Sequence, residues 1–356
     1  MTIKVLIVDD SATMRVLLTD VLSESPDIKV VGAAPDPIVA REMIKTLNPD
    51  VLTLDVEMPR MDGLDFLGRL MRLRPMPVVM VSSSTERGSE NTLQALELGA
   101  VDYVPKPRAD TPAQLRHYAE EVREKVRAAY SARLRPASRL AATAPRSVEH
   151  ATQPPLSTRI QERQLIAIGA STGGTEALRA VLCSLPRETP GVVMVQHMPD
   201  TFTGSFAKRL DSLSQLTVIE AKGGERIQPG HAYLAPGHSH LRVRRTPAGL
   251  VTELDASAPV NRHRPSVDVL FDSVAEQVGA SAIGVMLTGM GKDGARGMLA
   301  MKKAGAWNIG QDKESCVVYG MPREAAEIGA LDEVSTLNDI GSRIMARLRI
   351  LDRGNG

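Results

Sequence analysis

Short apolar runs alternate with amphipathic stretches of helical period along the first 130 residues of the chain. Each run is a few residues long and rich in Val, Ile and Leu, which is typical of strands buried on both faces of a sheet. The pattern predicts strands over 4–8, 29–33, 51–54, 77–81 and 102–104, and helices over 12–23, 37–47, 64–73, 89–98 and 112–130. This alternation predicts an α/β unit with a parallel, doubly wound sheet and helices on both faces.

Charged and hydroxyl side chains follow the carboxyl ends of these predicted strands. Asp9 and Asp10 follow the first, Asp55 the third, Ser83 the fourth and Lys106 the fifth. In such sheets, ligands bind beyond the carboxyl ends of the strands. Three carboxylates in one crevice repel one another unless a cation neutralises them, and their oxygens suit Mg²⁺. The set predicts a magnesium site with the lysine and the hydroxyl facing a phosphoryl group, although any one acid has the alternative of capping a helix or solubilising a loop.

A glycine-rich turn follows a second apolar strand near the middle of the chain. Residues 165–174 read LIAIGASTGG, and a helix is predicted from about Thr175. Such a turn can hold a phosphate at a helix N-terminus, but the G-x-G-x-x-G order and the later acid of a dinucleotide fingerprint are missing. The spacing Gly169-x-Ser171-x-Gly173 instead matches a nucleophile elbow, which presents a serine hydroxyl to the crevice. A phosphate cradle stays open as the alternative.

Two further predicted strands end in residues that complete a Ser/His/Asp constellation. The strand over 191–196 leads directly into His197, and the strand over 282–287 leads into a glycine-rich loop that carries Asp293. The imidazole would take the serine proton, the carboxylate would hold the imidazole tautomer, and loop amides would stabilise the oxyanion. Asp268, Asp272 and Asp312 are alternatives for the third member, and the first two have the i, i+4 spacing of a solvated face on a helix over 266–278.

Three other histidines raise the alternative of a metal site. His231, His238 and His240 fall around a predicted β-meander over 232–235, 240–245 and 250–254. A helical H-x-x-x-H pair with a glutamate is missing, so structural or surface roles are favoured over a zinc site.

Composition divides the chain into two folded parts and a tether. A length of 356 residues favours two domains. Residues 131–160 hold five arginines against one glutamate, and seventeen of the thirty are Ala, Ser, Thr or Pro, which is linker composition. We predict one domain over 1–125, a flexible basic linker over 126–162 and a second domain over 163–352.

The remaining composition excludes several classes of protein. A net charge of +1 and 3% aromatic residues argue against nucleic-acid binding. Cys183 and Cys316 are too few for a disulfide framework, and no Cys/His zinc spacing occurs. Residues 1–8 predict a buried strand rather than a signal peptide, and no apolar run approaches the ~18–20 residues that span a bilayer. We expect a soluble, cytoplasmic protein that does not insert into membranes.

The first 120 residues resemble a response-regulator receiver domain. The resemblance is carried by VDDS (8–11), LDVEMPRMDG (54–63), MVSS (80–83) and YVPKP (103–107). It implies a flavodoxin-like (βα)5 fold and a domain that requires Mg²⁺ for its phosphorylation. The implied roles are phosphoacceptor for Asp55; Mg²⁺ ligation by Asp9, Asp10, Asp55 and the Glu57 carbonyl; switch positions at Ser83 and Tyr103; and phosphoryl contact by Lys106. Periodicity by itself would place Tyr103 in the core.

The second part resembles the protein-glutamate methylesterases/protein-glutamine glutaminases of bacterial chemotaxis, and we expect it to form a doubly wound α/β domain. The matching segments are IGASTGGTE (168–176), QHMP (196–199), YLAPG (233–237), PVNRHRPSVDVLF (259–271), LTGMGKDG (287–294) and VYGMPR (318–323). The implied roles are nucleophile for Ser171, general base for His197, orienting partner for Asp293 and oxyanion donors at the Thr172 and Met290 amides, with no cofactor. The implied reaction is hydrolysis of glutamate γ-methyl esters on chemoreceptors with release of methanol, and deamidation of selected glutamines.

The two resemblances together imply regulation by phosphorylation. A chemotaxis histidine kinase would phosphorylate Asp55, and the unphosphorylated receiver would cover the catalytic crevice. Two other output classes are weighed against this. A DNA-binding output would need a basic helix-turn-helix, which is missing, and a nucleotide-binding output would use residues 169–174 as a phosphate cradle.

Overall fold

Two compact units make up the chain in this computed structural model, Met1–Ala144 and Pro145–Gly356. The structure describes residues 2–58, 62–83, 85–107, 111–134 and 155–354. Each unit has its own parallel sheet, so the predicted α/β class is confirmed for both. No helix of the described residues is long and apolar enough to cross a membrane.

The first unit is a five-stranded parallel sheet with the strand order β2-β1-β3-β4-β5. Its strands are β1 (Ile3–Val8), β2 (Ile28–Ala34), β3 (Val51–Asp55), β4 (Val78–Ser82) and β5 (Asp102–Pro105), and its helices are α1 (Ala12–Ser23), α2 (Pro37–Leu47), α3 (Gly63–Leu73), α4 (Glu86–Glu97) and α5 (Pro112–Ser131). Every residue of β3 and β4 is buried, as expected for inner strands covered on both faces. The order changes direction between β1 and β3, which opens a crevice at their carboxyl ends.

Side-chain caps fix where these helices begin. Ser11, Asp36, Asp62, Thr85 and Thr111 each accept a hydrogen bond from a backbone N–H in the first turn of the helix that follows. A cap of this kind satisfies one of the first-turn amides that have no partner within the helix. The strand-to-helix turns at the carboxyl edge are therefore set by local sequence.

The second unit contains a seven-stranded parallel sheet with the order β14-β13-β12-β6-β7-β9-β8. The strands of this unit, two of which lie outside that sheet, are β6 (Leu165–Ala170), β7 (Gly191–Gln196), β8 (Thr217–Glu220), β9 (His231–Leu234), β10 (His240–Thr246), β11 (Gly249–Asp255), β12 (Ala282–Met286), β13 (Trp307–Gln311) and β14 (Glu333–Ser335). Its helices are α6 (Thr158–Arg163), α7 (Gly174–Ser184), α8 (Asp200–Leu213), α9 (Val267–Gln277), α10 (Ala295–Lys303), α11 (Met321–Glu327) and α12 (Leu337–Arg353), with a 3-10 turn over Gly279–Ser281. The order changes direction between β6 and β12, which opens a crevice at their carboxyl ends. This crevice is the expected ligand site of the second unit.

The predicted three-stranded β-meander is wrong in its first strand. β10 and β11 form a two-stranded antiparallel ribbon, whereas β9 pairs in parallel with β7 and β8 in the main sheet. Ala232, Tyr233 and Leu234 are all buried. A continuous buried run belongs inside a parallel sheet, whereas a meander strand with one solvated face alternates.

Two helices overlap the segment assigned to the linker. α5 continues to Ser131, and α6 begins at Thr158. Residues 135–154 lie outside the described residues, so the flexible tether and its bounds stay a prediction.

Candidate active site

Three side chains at the carboxyl ends of neighbouring strands form a hydrogen-bonded chain. Ser171 follows β6, His197 follows β7, and Asp293 lies on the loop after β12. The Ser171 Oγ lies 3.1 Å from His197 Nδ1, and His197 Nε2 lies 2.8 Å from Asp293 Oδ2. Because β6 lies between β7 and β12 in the sheet, the serine follows the strand between the strands that precede its two partners.

The Asp293 carboxylate is 2% exposed and surrounded by donors. Its Oδ1 accepts hydrogen bonds from Asn261 Nδ2 at 2.7 Å and Ser266 Oγ at 2.8 Å, and its Oδ2 accepts one from the Val267 N–H at 2.7 Å. Burial raises the pKa of this carboxyl, but the hydrogen bond and charge of His197, followed by the Asn261 and Ser266 bonds, hold it well below its usual range. Asp293 is therefore ionised.

An ionised aspartate fixes the tautomer of the imidazole. Because Asp293 can only accept, His197 Nε2 carries the proton and Nδ1 is the acceptor for the Ser171 hydroxyl. The ring nitrogens have the opposite assignment in the serine-protease arrangement, where Nε2 faces the serine. The proton path is the same in both cases, since either ring nitrogen is basic when the other is protonated.

Two glycines allow the close approaches on which the serine turn depends. A Cβ at Gly169 would lie 2.3 Å from Val267 Cγ1, and one at Gly173 would lie 2.6 Å from Val317 Cβ. Gly173 also has a φ of 75°, in the left-handed region that favours glycine. The turn therefore lies on one side against Val267, whose N–H bonds Asp293, and on the other against Val317.

Several amides of the glycine-rich loops are already engaged with backbone carbonyls. The Ser171 N–H donates to the Thr288 carbonyl at 3.0 Å, the Gly174 N–H to the Ser171 carbonyl at 2.6 Å, and the Gly289 N–H to the Val318 carbonyl at 3.1 Å. These three amides face protein acceptors instead of a ligand. This argues against the phosphate-cradle alternative.

Sequence reasoning missed a group of residues that support the triad candidates. Asn261 and Ser266 hold Asp293, Gln196 bonds the main chain of the serine turn, and the His263 ring stacks on His197. The motif segments contain all four, but no periodicity marks a loop residue as one that points inward.

The interpretation of Asp268 as part of a solvated face is wrong. Asp268 is 3% exposed and accepts from the Asn261 side chain at 2.8 Å and from the Gly297 N–H at 2.7 Å. It lies in the first turn of α9, where its charge meets the helix N-terminus. Asp272 lies one turn later and is more exposed than Asp268. It pairs with Arg296 at 2.8 Å.

The three histidines weighed as a metal site have separate partners. His240 is fully buried, with Nδ1 accepting from the Ser266 N–H at 3.0 Å and Nε2 3.2 Å from the Ala258 carbonyl. His231 Nδ1 lies 3.0 Å from the Pro229 carbonyl, and His238 bonds Ser239. Both ring nitrogens of His240 therefore have protein partners, as in a structural histidine.

In the first unit, three carboxylates converge at the carboxyl ends of β1 and β3. One oxygen each of Asp9, Asp10 and Asp55 lies within 4.8 Å of the others. Asp9 Oδ2 is buried and accepts no hydrogen bond from a described residue. Lys106 Nζ lies 2.8 Å from Asp55 Oδ2 and 3.6 Å from Asp9 Oδ2. Lys106 offsets only part of the negative charge, and the hard oxygen donors of this cluster fit a Mg²⁺ ion.

Burial is the largest single influence on the pKa of Asp9, Asp55 and Lys106 in this cluster. Burial raises the pKa of Asp55 to about 6, against the lowering effect of the Lys106 hydrogen bond. Burial also raises the pKa of Asp9 above its usual value. Burial lowers the pKa of Lys106, but the Asp55 hydrogen bond and the nearby carboxylates outweigh it and raise the value overall.

Of the other predicted receiver residues, Glu57 and Ser83 connect to this cluster by hydrogen bonds, and Tyr103 is buried on β5. The Glu57 N–H donates to Asp55 Oδ1 at 3.2 Å, and Ser83 Oγ lies 3.4 Å from Glu57 Oε1. Tyr103 is 2% exposed, as its periodicity predicts. Lys125 Nζ lies 4.9 Å from its ring centroid and donates to its carbonyl at 2.6 Å.

The first unit has the fold and acidic crevice of a receiver, and the second has a doubly wound α/β fold with hydrogen-bonded Ser, His and Asp side chains at its switch point. Family models match both parts: the response regulator receiver domain over residues 5–119 and the CheB methylesterase over residues 166–344. The chain belongs to the CheB methylesterase family.

Similar proteins agree along nearly the whole length. Proteins named protein-glutamate methylesterase/protein-glutamine glutaminase are 59% identical in Methylobacillus flagellatus, over 98% of this chain and 97% of that protein, and 60% identical in Nitrosomonas europaea, over 97% and 96%. The crystal structure of the Thermotoga maritima CheB methylesterase catalytic domain is 42% identical, covers 52% of this chain and 98% of that chain, and has a TM-score of 0.51.

Proposed function

We propose that this protein hydrolyses glutamate γ-methyl esters on methyl-accepting chemoreceptors, releasing methanol, and deamidates specific receptor glutamines. The observation that carries the proposal is the chain from Ser171 Oγ through His197 to the ionised Asp293, with contacts of 3.1 and 2.8 Å. Because the geometry fits any acyl transfer, the names of the relatives supply the glutamate ester and glutamine as substrates, and the motif resemblance supplies the chemoreceptor.

Acylation begins with attack of Ser171 Oγ on the ester carbonyl carbon. The hydroxyl proton moves to His197 Nδ1, and Asp293 stabilises the imidazolium that forms. The carbonyl oxygen becomes an oxyanion facing the amides of Thr172 and Met290. His197 then returns the proton to the departing methoxide, which leaves as methanol. The acyl group stays on Ser171 as an acyl-enzyme.

Deacylation repeats the sequence with water. His197 Nδ1 takes a proton from the water as it attacks the acyl carbon, and Ser171 leaves with that proton. A glutamine side chain enters the same cycle, with ammonia as the leaving group in place of methanol. One site therefore serves both reactions without a cofactor.

We propose that phosphorylation of Asp55 by a chemotaxis histidine kinase raises the hydrolytic rate. Asp9, Asp10, Asp55 and the Glu57 carbonyl would hold Mg²⁺, which neutralises phosphoryl charge when bound. Lys106 would contact the phosphoryl oxygens from its position beside Asp55. Ser83 and Tyr103 would change position in response to the added charge.

Methanol release from methylated receptor membranes tests the hydrolytic proposal. We expect Ser171→Ala to lose activity by a factor of about 10⁶, in line with the loss of a triad nucleophile. Ser212→Ala is the matched control, because Ser212 is exposed and bonds only locally within α8. A serine-directed sulfonyl fluoride should label the wild type and the control but not Ser171→Ala. Full activity in Ser171→Ala would refute the site.

Phosphodonor treatment tests the regulatory proposal. We expect acetyl phosphate with Mg²⁺ to increase methanol release by the full chain and to have no such effect on Asp55→Asn, which keeps its basal rate. Asp20→Asn, an exposed acid on α1, is the control that should respond like the wild type. An unchanged response in Asp55→Asn would contradict the proposal.

A further inference from the structure

Gln196, the last residue of β7, bonds the main chain of both the nucleophile and the base candidates. Its side chain is buried, with 4% of the residue exposed. The Nε2 amide donates to the Ser171 carbonyl at 3.0 Å and to the His197 carbonyl at 3.2 Å. One carboxamide therefore fixes the serine turn relative to the end of the neighbouring strand.

The bond to the Ser171 carbonyl also sets the direction of the next amide. In a planar trans peptide, the carbonyl of one residue and the N–H of the next point to opposite sides. The Ser171 carbonyl accepts from Gln196 Nε2 and from the Gly174 N–H at 2.6 Å. Held by two donors, that peptide plane turns the Thr172 N–H to the side away from Gln196.

The second proposed oxyanion donor is oriented in the same way. The Gly289 carbonyl accepts from the Gly320 N–H at 3.1 Å and the Met321 N–H at 2.9 Å, which turns the Met290 N–H to the opposite side. Backbone amides hold this second plane. The plane that carries the Thr172 N–H is held by a side-chain donor as well as by the Gly174 N–H, so a substitution of Gln196 can loosen it.

The bonding pattern of Gln196 is not itself diagnostic, because Asn308 repeats it elsewhere in the sheet. Asn308 Nδ2 donates to the Met298 and Ala330 carbonyls at 2.7 and 2.9 Å. In both residues the amide oxygen is buried and has no hydrogen-bond partner among the described residues. Each oxygen lies against a glycine, Gly174 for Gln196 and Gly284 for Asn308, where a Cβ would lie within 2.4 Å of it. What distinguishes Gln196 is the pair of carbonyls that it holds.

We propose that Gln196 is a positioning residue for the oxyanion site. It fixes the Ser171–Thr172 peptide plane so that the Thr172 N–H faces the developing charge of the transition state. The inference rests on the proposed esterase function. Because the oxyanion forms only during the reaction, loss of this orientation lowers kcat and leaves KM unchanged.

Gln196→Met tests this role, because methionine keeps the length and volume and removes the donor. We expect kcat for methanol release by the full chain to fall about tenfold to a hundredfold, less than the ~10²–10³ of a deleted oxyanion donor, at constant KM. Gln196→Glu keeps the shape but turns an acceptor toward two carbonyls, and it should lose at least as much activity. Trp307, the single tryptophan, lies in the second unit, and its fluorescence reports whether each variant is folded.

Asn308→Leu is the matched control. It removes the same pattern of two bonds away from the triad, so we expect kcat per folded molecule to match the wild type. Wild-type kcat in Gln196→Met, or an equal fall in kcat for Asn308→Leu, would overturn the inference while leaving the esterase intact. Absence of methanol release by the wild type would instead refute the proposed function.

Discussion

The imidazole of His263 stacks on the imidazole of His197, with ring centroids 3.7 Å apart and 15° between the planes. The two edges of the His197 ring face Ser171 and Asp293, and His263 covers one of its faces. A tight turn places His263 there, with paired hydrogen bonds to Val260 of 2.9 and 3.0 Å. The base is therefore held at both edges and on one face.

Removing the His263 ring should slow the reaction. We expect His263→Ala to lower kcat about threefold to tenfold, the range of an aromatic pair worth ~0.5–1.5 kcal/mol, because the base gains freedom to rotate. His263→Phe should keep most of the activity, since a flat ring preserves the stack. Initial rates of methanol release at saturating substrate measure both variants.

The exposed His238 provides the control for this comparison. His238 bonds the adjacent Ser239, and His238→Ala should match the wild type. If His263→Phe is as slow as His263→Ala, the polar atoms of His263 are what matter, and the stacking explanation fails.

The strand-end rule located Ser171, His197 and Asp293 because each follows an apolar run that reads as a buried parallel strand. The same rule gave the acidic crevice of the first unit. Both conclusions depend on the alternation of short strands and helices, which local sequence determines.

The residues that support the triad candidates could not be predicted from the sequence, for a physical reason. Asn261 and Arg262 have φ values of 51° and 68°, in a turn that holds the Asn261 amide against two carboxylates. Side-chain direction in such a turn depends on tertiary contacts, which composition does not encode. β13 was missed because Asn308 and Gln311 make it look polar, although both are buried and bond backbone groups.

The pKa of Asp293 predicts a pH dependence of stability. Its folded-state value lies below the unfolded value of about 3.9, so ionised Asp293 stabilises the fold. That contribution is fully present above about pH 4 and is lost as the pH falls through the folded pKa. We expect Asp293→Asn to lower the free energy of unfolding by about 1–3 kcal/mol at pH 7 and by progressively less below pH 4.

Urea unfolding followed by Trp307 fluorescence between pH 3 and 8 measures this difference for the second unit. Glu276→Gln, an exposed acid on α9, is the control and should show no comparable pH-dependent difference. A gap between wild type and Asp293→Asn that stays constant down to pH 3 would contradict the assignment of the depressed pKa.

Mg²⁺ that binds the carboxylates of Asp9, Asp10 and Asp55 should stabilise the first unit. At a Mg²⁺ concentration 100 times the dissociation constant, binding to the folded state adds about 2.7 kcal/mol. Calorimetric unfolding of the full chain should therefore show a Mg²⁺-dependent shift in one transition. The transition that Trp307 fluorescence follows should stay in place, because Trp307 lies in the second unit.

Asp10→Asn should remove most of this shift, since Asp10 is the exposed member of the cluster and its amide replacement lowers the negative charge that attracts the ion. Asp20→Asn lies on the same unit outside the cluster and should keep the wild-type shift. A Mg²⁺ shift of wild-type size in Asp10→Asn, or one confined to the transition that Trp307 reports, would place the ion elsewhere.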